Sequence, residues 1–401
     1  MRRLLLYTLP AVVALAIGVA AANRFAGPLP SRALSISTGR EGGAYHDFAL
    51  EYQTQLARDG FALEIRPSAG SIETLERLAR GEVDAGFVQG GTAAGRDVSG
   101  LSSLGSVFLE PVWVFHRAAL KVGTLADLRG RSVAVGEQGS GARELALKLL
   151  GDTGVAAGNT ALLEVGGEEA AAGLAAGSLD AAFFVMSPRA PLVQRLVREP
   201  DLGLLPERRH LAYAGRYPYL TAVQLGEGML DLSANIPPTD IRLLAVAASL
   251  VVRNDLHPDH VRVLLRAAEQ VHRRKGRFEE EERLPSARLA ELPIHEDARR
   301  YFRDGPSWLE RRLPFRIAGL VDRLVLIFLP LVAILPAFFG GVLPLLERRG
   351  RNRILSFYPR LREVEREADF LPLEAVEEEI VRLQAIDHEV MERDVADRYL
   401  C

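Results

Sequence analysis

The strongest constraint on this chain is a glycine-rich loop that occurs twice in the same surroundings. The first copy, STGREGGAY at residues 37–45, follows a strand-like run at 33–36 and opens a helix-like run at 45–58. The second, VGEQGSGA at 135–142, stands in the same strand-to-helix setting. Each copy is followed at nearly the same distance by a related phrase, LARGEVDAGFV at 78–88 and LAAGSLDAAFF at 174–184. Glycines between a strand and a helix let the backbone approach a ligand closely, with the first free N–H groups of the helix pointing at it. A duplication of this kind predicts two similar α/β lobes, each presenting a loop to one cleft.

The rest of the apolar pattern supports that division. Residues 61–65 read as a strand, 67–71 as the turn after it, and Ile72, Leu75, Leu78 and Ala79 as one helical face with Ser71 as its cap. A strand at 85–88 runs into Gln89. Alternation of this kind favours a parallel sheet, whose ligands sit at the carboxyl ends of the strands. The apolar run 104–115 suits a strand crossing between lobes, and 208–227 is read as the return crossing. The second lobe begins at 132–135, continues as a helix over 141–150, and its last strand ends at Val185. A buried strand is expected at 243–252 and a helix from Pro258 through His272, since proline is well tolerated in a first helical turn. The expected organisation is one lobe from 33–105 plus 219–306 and a second from 106–218.

Candidate ligand contacts come from the loops at the strand ends. The first loop offers Thr38, Gly39, Gly42, Gly43, Ala44 and Tyr45; the turn after it offers Ser68, Gly70 and Ser71; and Gln89 ends the third strand. The second lobe offers Gly139, Ser140, Gly141, Ala142 and Arg143, with Ser187 after its last strand and Tyr217 as a wall of the cleft. Arg143 has the fork geometry to pair bidentately with an anion, as do Arg66 and Arg189, although such arginines are also ordinary surface residues. Helix N-termini aimed at one cleft favour negative charge, by about 0.3–1 kcal/mol each where exposed and up to roughly 2 where partly buried. Each of these residues also has a plain reading, as a tight turn, a helix cap or core packing.

Several function classes are excluded or thin. A formal net charge of −3 argues against a general nucleic-acid binder. The single cysteine, Cys401, allows no internal disulfide and no cysteine-rich metal site. The second loop lacks the glycine two places before serine that a nucleophile elbow needs, and the first lacks the Lys-Ser/Thr ending of a phosphate-binding loop. His257 and His260 read as a helix start rather than a metal pair. No catalytic residue, metal or cofactor is expected.

Both ends carry long apolar segments. Arg2 and Arg3 precede an apolar run over 4–22, read either as a cleaved signal, with Ala20, Ala21 and Ala22 as the small residues, or as a membrane anchor. A second segment, 317–346, carries Pro330, Pro336 and Pro344 and reads as a kinked transmembrane helix, with a re-entrant hairpin as its rival. Arg348, Arg349, Arg351 and Arg353 follow it, so the positive-inside rule puts the tail at 347–401 in the cytoplasm and the lobes in the periplasm. The tail reads as a helical hairpin, with Val376, Ile380, Leu383, Ile386 and Val390 at helical spacing.

The loop from Thr38 to Tyr45, the phrase from Ala69 to Glu73 and the phrase from Gly81 to Gln89 resemble the TAXI family, solute receptors of tripartite ATP-independent periplasmic (TRAP) transporters. Residues 217–220, 257–259, 305–309, 313–315 and 354–361 are similar to a membrane-tethered branch of it. The resemblance covers most of the chain. It implies a two-lobed α/β clamshell of the periplasmic binding-protein type (type II-like), flanked by transmembrane helices, whose hinge closes over a small anionic solute, an acidic amino acid or a dicarboxylate. It also implies a TRAP-type permease subunit and the lipid bilayer as partners. Two departures stand out: Thr74 where relatives commonly have Asn, and the charged pair Arg40 and Glu41 within the first loop. A sensor or scaffold signalling through the tail is the alternative.

Overall fold

The computed structural model describes Ala16 and residues 31–272, 284–306, 358–368 and 376–392. It divides into a unit spanning Leu29–Gly319 and a second made of Met1–Pro28 with Leu320–Cys401. The first unit begins with β1 (Ala33–Ser37), α1 (Ala44–Arg58), β2 (Ala62–Arg66), α2 (Ser71–Ala79) and β3 (Ala85–Gln89). The long β4 (Leu101–Arg117) leads through a 3-10 turn at Leu125–Leu128 to β5 (Ser132–Ala134), α3 (Gly141–Asp152), β6 (Ala161–Leu163), α4 (Gly167–Ala175) and β7 (Ala181–Val185). After α5 (Pro191–Leu196), β8 (Leu202–Leu204), α6 (His210–Arg216) and β9 (Leu220–Leu225), the long β10 (Ile241–Arg253) runs back. It is followed by α7 (Pro258–His272) and α8 (Glu296–Asp304).

The strands form one continuous sheet in the order β2-β1-β3-β10-β4-β7-β5-β6, with β8 on β4 and β9 on β10. β1 pairs in parallel with β2 and β3, and β5 in parallel with β6 and β7. β10 lies antiparallel between β3 and β4, so the two long strands carry the chain across the middle in opposite directions. This is a two-lobed α/β fold of the periplasmic binding-protein type, with each half built around a β-α-β-α-β unit.

The duplicated phrase has the same structural job in both lobes. Gly81 (φ +70°) and Gly177 (φ +73°) follow the C-caps of α2 and α4 in the left-handed conformation that glycine adopts without strain. Asp84 then accepts from the backbone N–H and the hydroxyl of Ser35, both at 2.8 Å. Asp180 does the same for Ser132, at 3.0 and 3.2 Å. Each aspartate thereby ties the start of one parallel strand to its neighbour, and the next residues enter the sheet as β3 or β7.

Both faces of both halves are covered. In the first, α1 buries Ala49, Tyr52 and Leu56 together with α7 on one face, while α2 buries Leu75 and Leu78 on the other. In the second, α3 buries Leu145, Leu149 and Leu150 on one face, and α4 buries Ala170, Ala171 and Leu174 on the other. Packing draws the return crossing differently from the sequence reading. Tyr219, Leu220, Val223 and Leu225, with Leu243 to Ala247 of β10, pack in the cores of the second half, and Ala248, Leu250 and Val252 pack in the first. The chain therefore returns inside β10, near Ala247, and not at residue 219. A continuous apolar run does not reveal which core each part of it enters.

In the second unit, α9 (Tyr358–Ala368) and α10 (Val376–Glu392) pack through Val364 and Ile386, and Arg360 pairs with Glu389 at 2.7 Å. Val376, Ile380 and Leu383 are exposed. Among the described residues no helix is long and apolar enough to cross a membrane. Both segments read as membrane-associated, 1–22 (apart from Ala16) and 317–346, lie outside the described residues.

Candidate functional site

The parallel pairing of β1, β2 and β3 puts the loops after Ser37, Arg66 and Gln89 on one edge, and the pairing of β5, β6 and β7 does the same in the second half. The two edges meet. A Cβ on Gly70 would lie 3.3 Å from the Gly139 carbonyl oxygen and 3.7 Å from the Ser140 Cα. A Cβ on Gly141, the first residue of α3, would lie 2.8 Å from Gln89 Cδ and 3.0 Å from its Nε2. Gly70 has φ +152° and ψ −164°, a backbone region essentially reserved for glycine. Two charge pairs flank the contact: Arg40 of the first glycine loop with Glu137 of the second, and Arg96 with Glu144 of α3 at 3.8 Å.

The sequence-selected residues sort into three groups. Gly70, Gln89, Gly139, Ser140 and Gly141 come together where the lobes touch. Ser71 lies behind Gln89, since its Oγ accepts the Gln89 backbone N–H at 2.9 Å; it does not cap α2, whose N-cap is Gly70. Ala142 follows Gly141 in the first turn of α3. Thr38 and Ser68 are buried supports. Thr38 donates to Gly39 O at 2.9 Å, and Ser68 Oγ bonds Thr38 O, Gly70 O and Thr74 Oγ1. Gly39 O accepts the Ser68 N–H, Gly42 is left-handed (φ +74°), Gly43 is the N-cap of α1 and Ala44 its first residue. Thr74 is fully buried beneath the loops, its hydroxyl 2.9 Å from that of Ser37.

A third group points elsewhere. Arg143 pairs with Glu164, so its guanidinium serves the second lobe; the Ser140 hydroxyl caps α3 by accepting the Arg143 N–H at 3.2 Å. Arg66 is held by Glu64 and the Glu82 carbonyl, and Arg189 is exposed. Ser187 turns the chain by accepting the Arg189 N–H. Tyr217 does not wall the cleft: its hydroxyl donates to Asp152 at the far, C-terminal end of α3, and its ring stacks on Tyr219. His260 bonds the Ser31 carbonyl and His257 accepts the Asp259 N–H, and among the described residues no cluster of three His, Cys, Asp or Glu has metal-site geometry.

One residue that sequence reasoning missed sits at the centre. Glu110 of β4 is 5% exposed. Phe108, two residues before it on the same face of the strand, packs in the α1 core, and Val112, two residues after, packs in the α3 core. Glu110 therefore occupies the floor between the lobes. Tyr45 Oη donates to its Oε2 at 2.7 Å, and the Tyr45 ring packs on Phe87 and Phe108. Burial pushes the Glu110 carboxyl up to about 7, with only the Tyr45 hydrogen bond opposing it. The signal was visible: Glu110 is the single charged residue in the apolar run 104–115.

Close beneath the lobe contact, Gln89 is 5% exposed and its Nε2 has no hydrogen-bond partner. A buried amide without a partner costs about 1–3 kcal/mol, so its position calls for an acceptor. Ser71, Tyr45, Glu110 and Gln89 thus line one polar patch, enclosed by apolar cores and facing the first turn of α3. The nearby guanidinium groups are paired elsewhere, Arg143 with Glu164 and Arg96 with Glu144. The patch offers backbone N–H groups, hydroxyls, one amide and one carboxyl.

No curated protein matches the chain. Similar solved structures include the alkanesulfonate-binding protein SsuA from Xanthomonas axonopodis pv. citri bound to MOPS, at 17% identity over 61% of this chain and 74% of that one, with a TM-score of 0.40. A protein from Bordetella bronchiseptica RB50 is similar at 14% identity over 69% and 99%, with a TM-score of 0.44. The GluR0 ligand-binding core from Nostoc punctiforme in complex with L-glutamate is similar at 14% identity over 59% and 92%, with a TM-score of 0.40. At these identities and scores the likenesses bear on neither the ligand nor the partners of this chain. The NMT1-like family matches residues 36–305 of the 401, from within β1 to the end of α8 and across every loop described above. This chain belongs to the NMT1-like family.

Proposed function

We propose that this protein is an extracytoplasmic solute receptor, tethered to the membrane, that delivers a small anionic solute to a TRAP-type secondary transporter. The observation that carries the reading is the meeting of two strand-end loop sets across one cleft, with Gln89 of one lobe set against Gly141 of the other. A clamshell of this design closes on a solute held by both halves, and closure is the signal a transporter subunit reads. The first turns of α1, α2 and α3 supply N–H groups for an anion, and acidic amino acids and dicarboxylates are the expected classes. Arg2 and Arg3 before the first apolar segment, and Arg348 to Arg353 after the second, support lobes in the periplasm and a tail in the cytoplasm. A sensor or scaffold is the second reading, favoured by the exposed Ile380, Val381 and Leu383 on α10.

The test is a thermal-shift screen of the full-length protein in detergent against carboxylates, amino acids, sulfonates, sugars and cations. Binding to the folded state alone stabilises it by about 2.7 kcal/mol at a hundredfold excess over Kd, a Tm rise of roughly 5–10 °C. Stabilisation by neutral sugars or cations alone would refute the anion reading. Stabilisation by no solute would favour the sensor or scaffold.

A further inference from the structure

The floor of the cleft does not suit a simple anion. Glu110 places a carboxyl where the lobes meet, 5% exposed, between the α1 and α3 cores. Its one protein donor among the described residues is the Tyr45 hydroxyl. Among the described residues no arginine, lysine or histidine contributes to the electrostatics at this carboxyl. A buried carboxylate is stable when a cation and further hydrogen bonds compensate it, and here the described residues supply one neutral donor. Above this carboxyl, Gln89 directs an unpartnered and nine-tenths buried amide at the start of α3. The first turn of that helix is an electropositive N-terminus, so the patch has an acidic floor and an anion-favouring roof.

We infer that Glu110 receives the ammonium group of a zwitterionic solute, so that of the two classes named above the cleft takes an amino acid and rejects the dicarboxylate. The solute's carboxylate faces the first turn of α3 and the Gln89 amide, and its ammonium faces Glu110 and the Tyr45 oxygen. Each end supplies what the described residues lack: an acceptor for the Gln89 Nε2 and a counter-charge for the Glu110 carboxylate. A dicarboxylate would bring a second negative charge against Glu110, and like charges in a buried site are strongly unfavourable. The inference rests on the receptor reading and adds the class of solute.

The experiment uses the full-length protein in detergent and matched pairs of probes that differ by one amino group. These are L-alanine and propionate, L-norvaline and valerate, L-aspartate and succinate, and L-glutamate and glutarate, followed by the remaining standard amino acids. Calorimetry at pH 7.5 is expected to show at least one amino acid binding about thirtyfold or more tighter than its des-amino partner, the scale of losing one member of a buried charge pair. In Glu110→Gln, which keeps the shape and an acceptor for Tyr45, that ratio is expected to collapse to about threefold or less through loss of amino-acid affinity, with the melting temperature of the unliganded variant no lower than that of the parent. Tyr45→Phe is expected to leave the ratio above tenfold, because the carboxylate remains. Equal binding within the pairs, or an undiminished ratio in Glu110→Gln, overturns the assignment. If no amino acid binds while carboxylates or sulfonates do, the ammonium site is refuted and the receptor reading stands. If no solute of any class binds, both fall.

Discussion

Glu110 also makes a prediction that needs no ligand. Its carboxyl titrates at about 7 in the folded protein against an ordinary 4.5, and the cause is burial. A group whose folded pKa is raised contributes fully below the unfolded value and loses that contribution as the pH rises through the folded value. Below about 4.5 Glu110 is neutral in both states. Above about 7 the folded protein must hold a desolvated carboxylate. The difference between 4.5 and about 7 corresponds to about 3 kcal/mol, lost almost entirely by pH 8–9. Glu110→Gln removes the charge, preserves the shape and still accepts from Tyr45. It is expected to melt within about 2 °C of the parent at pH 5 and roughly 5–10 °C above it at pH 8.5, on the scale of about 2–4 °C per kcal/mol for a domain of this size. The assay is differential scanning fluorimetry of both proteins from pH 5 to 9 without added solute. Every other titrating group is common to the pair and cancels. Parallel curves over that range would refute the claim that Glu110 is a desolvated acid at the cleft floor.

Other expectations follow from the same contacts. Gly141→Ala places a Cβ 2.8 Å from Gln89 Cδ, so Gln89 must swing away; the melting temperature should change by less than the equivalent of about 1 kcal/mol, while solute affinity falls at least about tenfold by calorimetry. Gly70→Ala meets both a reserved backbone conformation and the Gly139 carbonyl. It should cost roughly 1–3 kcal/mol in chemical denaturation, and a neutral result would show that the loop is not held in that conformation. Arg96→Ala and Glu144→Ala should each change stability by less than about 1 kcal/mol, because the pair spans 3.8 Å and is part-exposed. In intact spheroplasts a membrane-impermeant maleimide should leave Cys401, the single thiol, unlabelled until the membrane is permeabilised. Labelling beforehand would put the tail outside.

What the sequence determined by itself was local and periodic. The strand-to-helix glycine loops, the helix over 258–272 and the strands near 33–36, 85–88 and 243–252 were legible because turn chemistry and apolar spacing act over a few residues. The repeated Gly-x-x-Asp-Ala phrase carried the two-lobed design, because a helix stop followed by an aspartate that ties two strands together is a short-range device. Gly70, Gln89, Gly139 and Gly141 were legible as residues at strand-to-helix turns, yet their contact between the lobes follows from how the two halves of one sheet share β4 and β10.

Tertiary structure decided everything that depends on which residues meet across hundreds of positions. Tyr217 and Arg143 carry suitable chemistry, but Asp152 and Glu164 turn them toward the body of the second lobe. The return crossing lies inside β10 because its two halves enter different cores, while its sequence reads as one apolar run. Glu110 is one charged residue in an apolar run, with nothing local to mark its role. It became the floor of the cleft because Phe108 and Val112 on either side of it belong to different lobes, so the position between them is roofed by both. Spacing along a chain specifies which face of a strand a residue occupies; the charge that it meets there is set only when the other lobe packs against it.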